Sequence, residues 1–141
     1  MTHDDLVYTA ALIDGEGSVL LTHCRPTERR SPAVTIPSTT KCFMSYLKKT
    51  FGGVVSSKRP SKKHHSKSWN WSVKHDAAID LLRRVLPYLK HPEKIRRARL
   101  IVKHYKSVTV RNGRYTSKQA QRKDKFEQLF LSCSTRTHVN G

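Results

Sequence analysis

The sequence predicts an α+β domain in which a helix, two strands, a helix and two more strands are followed by further helices. Three observations predict it. Apolar residues recur at the helical period in Lys41–Phe51 and again over 77–89. Between them Ser68–Lys74 alternates with period two, placing Trp69, Trp71 and Val73 on one face and Asn70, Ser72 and Lys74 on the other. Glycine and proline punctuate the joints, most clearly at Gly52-Gly53 and at Pro37-Ser38-Thr39-Thr40.

In chain order, Asp4 or Asp5 suits the N-cap of a first helix over 4–14. A strand follows over 18–25, with Val19 and Leu21 on one face and Ser18, Leu20 and Thr22 on the other. A polar loop carrying Arg29 and Arg30 separates it from a short β-branched strand over 33–36. Hydroxyls at 38–40 offer caps for Lys41–Phe51, whose apolar positions are Phe43, Tyr46, Leu47 and Phe51. Val54–Lys58 and Ser68–Lys74 read as a hairpin around a loop rich in Lys, His and Ser. The two tryptophans read as core, and His64-His65 as solvated or phosphate-facing. His75-Asp76 suits the cap of a helix over 77–89, which Pro87 kinks or shortens. Pro92 suits the first turn of the next helix, which runs to about residue 105 and buries Ile95, Leu100 and Ile101 or Val102. Asn112-Gly113 marks a turn, and Ser117–Leu131 resumes helical spacing with Phe126, Leu129 and Phe130. The last ten residues read as loose. The reading divides the chain into a core at 1–106 and a helical extension at 107–141.

Charge narrows the function. Twenty-eight Lys and Arg stand against ten Asp and Glu, a formal net charge of +18. Such an imbalance repels itself unless a polyanion is near, and nucleic acid is the default partner. No apolar run is long enough to span a membrane. The opening Met1-Thr2-His3-Asp4-Asp5 is acidic, with no apolar stretch of signal-peptide type behind it. Three widely spaced cysteines support neither a disulfide framework nor a zinc ribbon and fit a reducing, intracellular setting.

The stretch Tyr8-Thr9-Ala10-Ala11-Leu12-Ile13-Asp14-Gly15-Glu16-Gly17 carries the sharpest signal. Small residues at Ala10 and Ala11 let a helix approach another backbone closely. Gly15 and Gly17 let the chain leave that helix without a Cβ penalty. Glu16 then stands at a helix C-terminus, where the dipole and the unpaired carbonyls are already negative. A carboxylate there calls for a cation, and a divalent metal is the simplest.

Thr9 to Gly17, TAALIDGEG, resembles the nine-residue motif of the LAGLIDADG homing endonucleases. Ala10, Leu12, Ile13, Asp14 and Gly17 match that motif, and Gly15 matches the many members reading GLIDGEG. Phe51-Gly52-Gly53 and Leu86-Pro87-Tyr88-Leu89 extend the likeness, which covers roughly residues 4–105. The resemblance implies an αββαββα core: an antiparallel four-stranded sheet with helices packed on one face, here with an extra C-terminal helix. It implies metal-dependent cleavage of double-stranded DNA, with Mg²⁺ held by Glu16; the neighbouring Gly15 carbonyl offers a second oxygen. It places a catalytic lysine at Lys94, with Lys90 as the alternative. Asp14 reads as structural, ending the helix or bonding across an interface. The motif occurs once, so the family likeness implies a homodimer joined through Tyr8, Thr9, Ala10, Ala11, Leu12, Ile13 and Asp14. Its target would be long and approximately palindromic. Outward strand residues laid along the major groove would read bases: Thr22, Arg25, Thr35, Ser56, Lys58, Asn70, Ser72 and Lys74. Loop residues Arg29, Arg30, Arg59, Lys62, Lys63 and Lys67 would hold phosphates. The alternatives are a non-cleaving binder of the same fold, acting as an intron RNA maturase or DNA-binding regulator, and a basic RNA-binding protein of ribosomal type. Glu16 separates the first reading from the others, because a pure binder has no need of a carboxylate beside bound phosphates.

Overall fold

A computed structural model describes residues 1–23, 25, 28–58 and 67–133. The elements are α1 (His3–Gly15), β1 (Ser18–Thr22), β2 (Ser31–Ser38), α2 (Lys41–Phe51), β3 (Val54–Lys58), β4 (Ser68–Lys74), α3 (His75–Val85), a single 3₁₀ turn (Leu86–Tyr88), α4 (Pro92–Val108) and α5 (Ser117–Leu131). The strands form one antiparallel sheet in the order β1-β2-β4-β3. Its inner face, with Val19, Leu21, Val34, Ile36, Trp71 and Val73, joins apolar residues of all five helices in one core. Its outer face is left open. Among the described residues no helix is long and apolar enough to cross a membrane.

Elements with a strong local period appear where the sequence places them. The bounds of α2, β3, β4 and α5 are those predicted, because glycine, proline or a polar joint stops the pattern within a residue or two. Gly52 (φ +77) and Gly53 (φ +88) end α2 in the left-handed region. Gly53 is also required by space: a Cβ there would lie 2.5 Å from the Ser72 carbonyl oxygen and 2.9 Å from Trp71 Nε1. That close approach lets Trp71 donate to the Gly52 carbonyl at 2.8 Å while its ring is fully buried.

Other expectations are corrected by partners distant in sequence. Thr2, not Asp4 or Asp5, caps α1, and Asp5 completes a reciprocal capping box with it. β1 stops at Thr22, and β2 runs through both Pro32 and Pro37. Each proline lies where β2 is an edge of the sheet: Pro32 pairs with Leu21 beyond the end of β4, and Pro37 with Asn70 beyond the start of β1. The hydroxyls at 38–40 do not cap α2; Ser38 Oγ instead accepts from the Thr40 amide. In α2 Met44 is turned inward and Phe43 is 38% exposed. α3 begins at His75, whose φ of 56° is left-handed, and ends at Val85, where the Pro87 turn takes over. α4 begins on Pro92 and runs on to Val108, burying Ala98 and Ile101. In α5 Phe126 and Phe130 are buried, whereas Leu129 is 53% exposed.

α5 is fastened by a lysine the helical pattern does not single out. Lys123 is fully buried, its ammonium 2.6 Å from Thr109 Oγ1 and 4.0 Å from the centre of the Tyr105 ring. Burial pushes its pKa down to about 8; Arg29 adds to the fall and Glu127 opposes it. The folded state therefore releases a proton that the unfolded chain keeps, and stability rises with pH between about 8 and the ordinary lysine value of 10.5. Carrying the buried charge at neutral pH costs about 3 kcal/mol on this shift. Thr109 Oγ1 keeps its bond to the Tyr105 carbonyl at 2.6 Å when the lysine is removed. Lys123→Met is therefore expected to raise the midpoint of thermal unfolding at pH 7, with the gain shrinking above pH 8. Melts of both proteins from pH 7 to 10 check this; a variant less stable than the parent at pH 7 contradicts it.

Candidate active site and nucleic-acid interface

The site is built around the last turn of α1. A helix end leaves carbonyls without partners. Here the Glu16 amide bonds the Leu12 carbonyl at 2.8 Å, and the Lys94 ammonium takes those of Ile13 and Asp14 at 2.7 and 2.8 Å. A cation at a helix C-terminus is favoured by the dipole. Asp14 returns the link: its carboxylate accepts from the amides of Lys90 and His91 at 2.9 and 3.1 Å, where the chain enters α4. The end of α1 and the start of α4 are thus joined by four hydrogen bonds. Asp14 is structural within its own chain.

Gly17 makes that junction possible by close approach, not by an unusual φ. A Cβ there would fall 2.7 Å from Ile13 Cα and 3.1 Å from the Thr35 carbonyl oxygen, so α1 turns directly against β2. Gly15 has open space around its Cα and no left-handed φ, so its lack of a side chain is not needed for the turn.

Glu16 is exposed at this end. Beside it lies a cleft of about 410 Å³, whose lining includes the hydroxyl residues Ser38, Thr39 and Ser68 and the apolar Leu12 and Phe43. Lys94 is half-buried. Burial pushes its pKa below the ordinary lysine value, and Asp14, Glu93 and Glu16 pull the other way. Glu16 and Lys94 therefore sit at one helix end with opposite charges. Among the described residues no cluster of three or more His, Cys, Asp or Glu could hold a metal. The donor set at this end is one carboxylate and the neighbouring Gly15 carbonyl. Both are hard oxygen donors, which suits Mg²⁺ only where water, phosphate or a second chain completes the shell.

The open sheet face starts beside this end. The register aligns Ser18, Thr35, Ser72 and Val54 across all four strands, with Pro37, Asn70 and Ser56 in the next rung. Leu20, Ala33 and Lys74 form a rung on the other side, and Thr22 pairs with Ser31 beyond it. The structure thus brings Thr22, Thr35, Ser56, Asn70, Ser72 and Lys74 onto one polar surface. Lys58 pairs with Ser68 at the end of β3.

The arginines of the 23–30 segment are placed differently. Arg25 is exposed and 3.8 Å from Glu28. Arg29 pairs with Asp124 of α5 and lies over the Tyr115 ring at 4.6 Å. The Arg30 guanidinium donates to the Leu21 carbonyl at 3.1 Å, while its amide donates to Glu127 at 2.9 Å. Arg29 and Arg30, expected to hold phosphates, are occupied within the chain and brace α5. Lys67 is exposed, its ammonium 5.8 Å from the Trp69 ring centre. Arg59, Lys62, Lys63 and His64-His65 lie outside the described residues.

The motif helix divides the residues expected at a dimer interface. Thr9, Ala10 and Ile13 are fully buried in the chain's own core. Tyr8 (43% exposed), Ala11, the half-buried Leu12 and Gly15 form an outward stripe, with Val7 beside it. Sequence reasoning missed Arg97, which donates to the Val19 carbonyl at 3.2 Å and the Cys133 carbonyl at 2.9 Å and pairs with Glu93 at 3.2 Å. One more arginine on a basic helix gives no local signal for that role.

No protein-family model and no curated protein matches the chain in sequence. Solved structures match it in fold. The homing endonuclease I-CvuI, in complex with an I-CreI target in the presence of 2 mM Mg and with the DNA not cleaved, superposes with a TM-score of 0.66 at 14% identity, over 93% of this chain and 82% of that one. The archaeal intron-encoded homing endonuclease I-Vdi141I, complexed with DNA, gives 0.62 at 13% identity, over 93% and 84%. The LAGLIDADG homing endonuclease I-GzeII, in complex with its DNA target, gives 0.61 at 15% identity, over 86% of this chain and 43% of that one. With the αββαββα order, the antiparallel sheet and the motif helix in place, the chain has the LAGLIDADG homing endonuclease fold.

Proposed function

We propose that two copies of this chain form a metal-dependent DNA endonuclease that makes a double-strand cut in a long, approximately palindromic site. One observation carries the reading: Glu16 is an exposed carboxylate at the end of α1, the same helix end that the Lys94 ammonium caps and from which the chain enters the first strand of the sheet. A carboxylate repels DNA phosphates, so its presence beside a DNA-reading surface has a reason only if a cation comes between them. The DNA and Mg in the complexes of I-CvuI support the same assignment by fold. The enzyme works inside the cell, with the genome that encodes it.

Glu16 and the Gly15 carbonyl would hold Mg²⁺, together with water and phosphate oxygens. Bound there, the metal lowers the pKa of its water and neutralises charge developing on the phosphate. The chain's own residues do the rest. Lys94 holds the end of α1 in place and sets a fixed positive charge beside the phosphate. Asp14 holds the start of α4, and with it Lys94. The rungs from Ser18 to Val54 and from Pro37 to Ser56 meet base edges in the major groove. Arg25 and Lys74 reach base edges from the same face, and the exposed Lys67 meets the backbone. Cutting both strands needs two such acids, which the outward stripe of α1 would bring together by packing Tyr8, Ala11, Leu12 and Gly15 against a second copy.

Cleavage sites selected from a random duplex library with Mg²⁺ supply the substrate for testing. Glu16→Gln is expected to keep duplex affinity within about threefold while cleavage falls at least a hundredfold, roughly the scale of losing one key electrostatic group. Undiminished cutting contradicts the mechanism. Lys94→Ala is expected to slow cutting with little loss of affinity; an unchanged rate moves the role to Lys90. Ala11→Arg puts a charge on the outward stripe and is expected to separate the chains. Sedimentation with duplex should then find two chains per site for the parent and fewer for the variant. A single parent chain on a fully cleaved site refutes the dimer.

A further inference from the structure

The sheet face leaves a second concentration of positive charge unexplained. On α4, Arg96, Arg99 and Lys103 are exposed, as are Arg122 and Lys125 on α5, and none has an ion pair among the described residues. The acids of α5 that could neutralise them are engaged elsewhere: Asp124 pairs with Arg29, and Glu127 accepts from the Arg30 amide. α4 buries Ala98 and Ile101 against the core, so its cationic side is not the side that meets the sheet. The open sheet face and this surface lie on different faces of the domain.

Between the two helices runs a groove of about 310 Å³. Leu100, the half-exposed Leu129 and Cys133 give it apolar surface; Arg96, Arg99 and Lys103 give it charge, and among the described residues no carboxylate lines it. At a rise of about 1.5 Å per residue, the three cations stand at steps of about 4.5 and 6 Å along α4. Charge in a line beside a narrow apolar trough is complementary to a chain that carries anions at regular intervals and flat apolar groups between them. A duplex does not fit that description, because its bases are hidden in the stack and its phosphates lie on a convex cylinder. A single strand offers both. We propose that the groove between α4 and α5 binds a single strand of nucleic acid, with phosphates on Arg96, Arg99 and Lys103 and an unstacked base over Leu100 and Leu129. No residue of the groove belongs to the sheet or to the end of α1, so this surface works whether or not the chain cleaves DNA.

The test uses the full chain and fluorescein-labelled oligouridylate and oligothymidylate of about a dozen nucleotides, read by anisotropy with a saturating random-sequence duplex present. Arg96→Ala/Arg99→Ala/Lys103→Ala should weaken strand binding at least about tenfold. It should also lower the slope of log affinity against log salt by about two, at roughly 0.7 per phosphate contact. Lys41→Ala/Lys48→Ala/Lys49→Ala removes the same charge from exposed positions on α2 and should cost less than about threefold. Leu129→Lys adds a cation but fills the trough, and should also weaken binding. Tighter binding of the ribo-oligonucleotide assigns RNA, and equal binding assigns a sugar-independent backbone site; either supports the proposal. It is overturned if the two triple variants lose equally, if Leu129→Lys binds more tightly, if the duplex displaces the strand, or if an acidic amphipathic helical peptide binds the groove and neither oligonucleotide does.

Discussion

The hydrogen bonds between the end of α1 and the start of α4 are the constraint on which the rest depends. An α-helix ending against a sheet exposes carbonyls that must be satisfied, and here the Lys94 ammonium takes two of them. The Asp14 carboxylate takes two amides from the opposite side. Donor and acceptor run in both directions, so neither helix end can shift without breaking charge-assisted bonds in a half-buried place. Gly17 removes the last freedom by pressing the turn against Thr35. The position of Glu16 follows from these contacts, none of which its own side chain makes.

The charge on this chain is sorted by the fold. Acids are few, and several are spent on structure. Asp5 completes the α1 cap, Asp14 fastens α4, Glu93 pairs with Arg97, and Asp124 and Glu127 secure the segment before β2. Glu16 differs in standing exposed at a helix end that disfavours a negative charge, with no side-chain ion pair within 4 Å among the described residues. Buried Lys123 shows the converse cost: a cation drawn into the α4–α5 contact at the expense of its own pKa. Among the described residues, the charge left on the open sheet and in the α4–α5 groove is positive. Such a surface is suited to polyanions on two sides.

Much of this architecture was legible in the residues because it is written locally. Lys41–Phe51 and Ser68–Lys74 carry their own period and their own stops, so their bounds follow from a dozen residues each. Glu16 stood out because a carboxylate between glycines at a helix end is electrostatically misplaced. The features that escaped are set by partners far along the chain. Pro32 and Pro37 look like strand breakers until β1 and β4 are seen to end beside them. Arg29 and Arg30 read as phosphate ligands, and no local pattern shows that Asp124 pairs with the Arg29 side chain or that Glu127, nearly a hundred residues away, accepts from the Arg30 amide. Asp14 looks like a helix terminator until the amides of Lys90 and His91 arrive. No periodicity encodes such pairings, because they depend on which surfaces the folded helices bring together.

The account stands on the two Glu16 carboxylates meeting a shared cation at the scissile phosphates. The most direct measurement is the anomalous scattering of Mn²⁺ in crystals of the Glu16-containing protein bound to its selected duplex. The account predicts a Mn²⁺ peak within coordination distance of Glu16 from each of two chains and of a phosphate oxygen. A complex in which Glu16 from the two chains lies far apart, or in which Mn²⁺ binds DNA with no Glu16 oxygen in its shell, would contradict it.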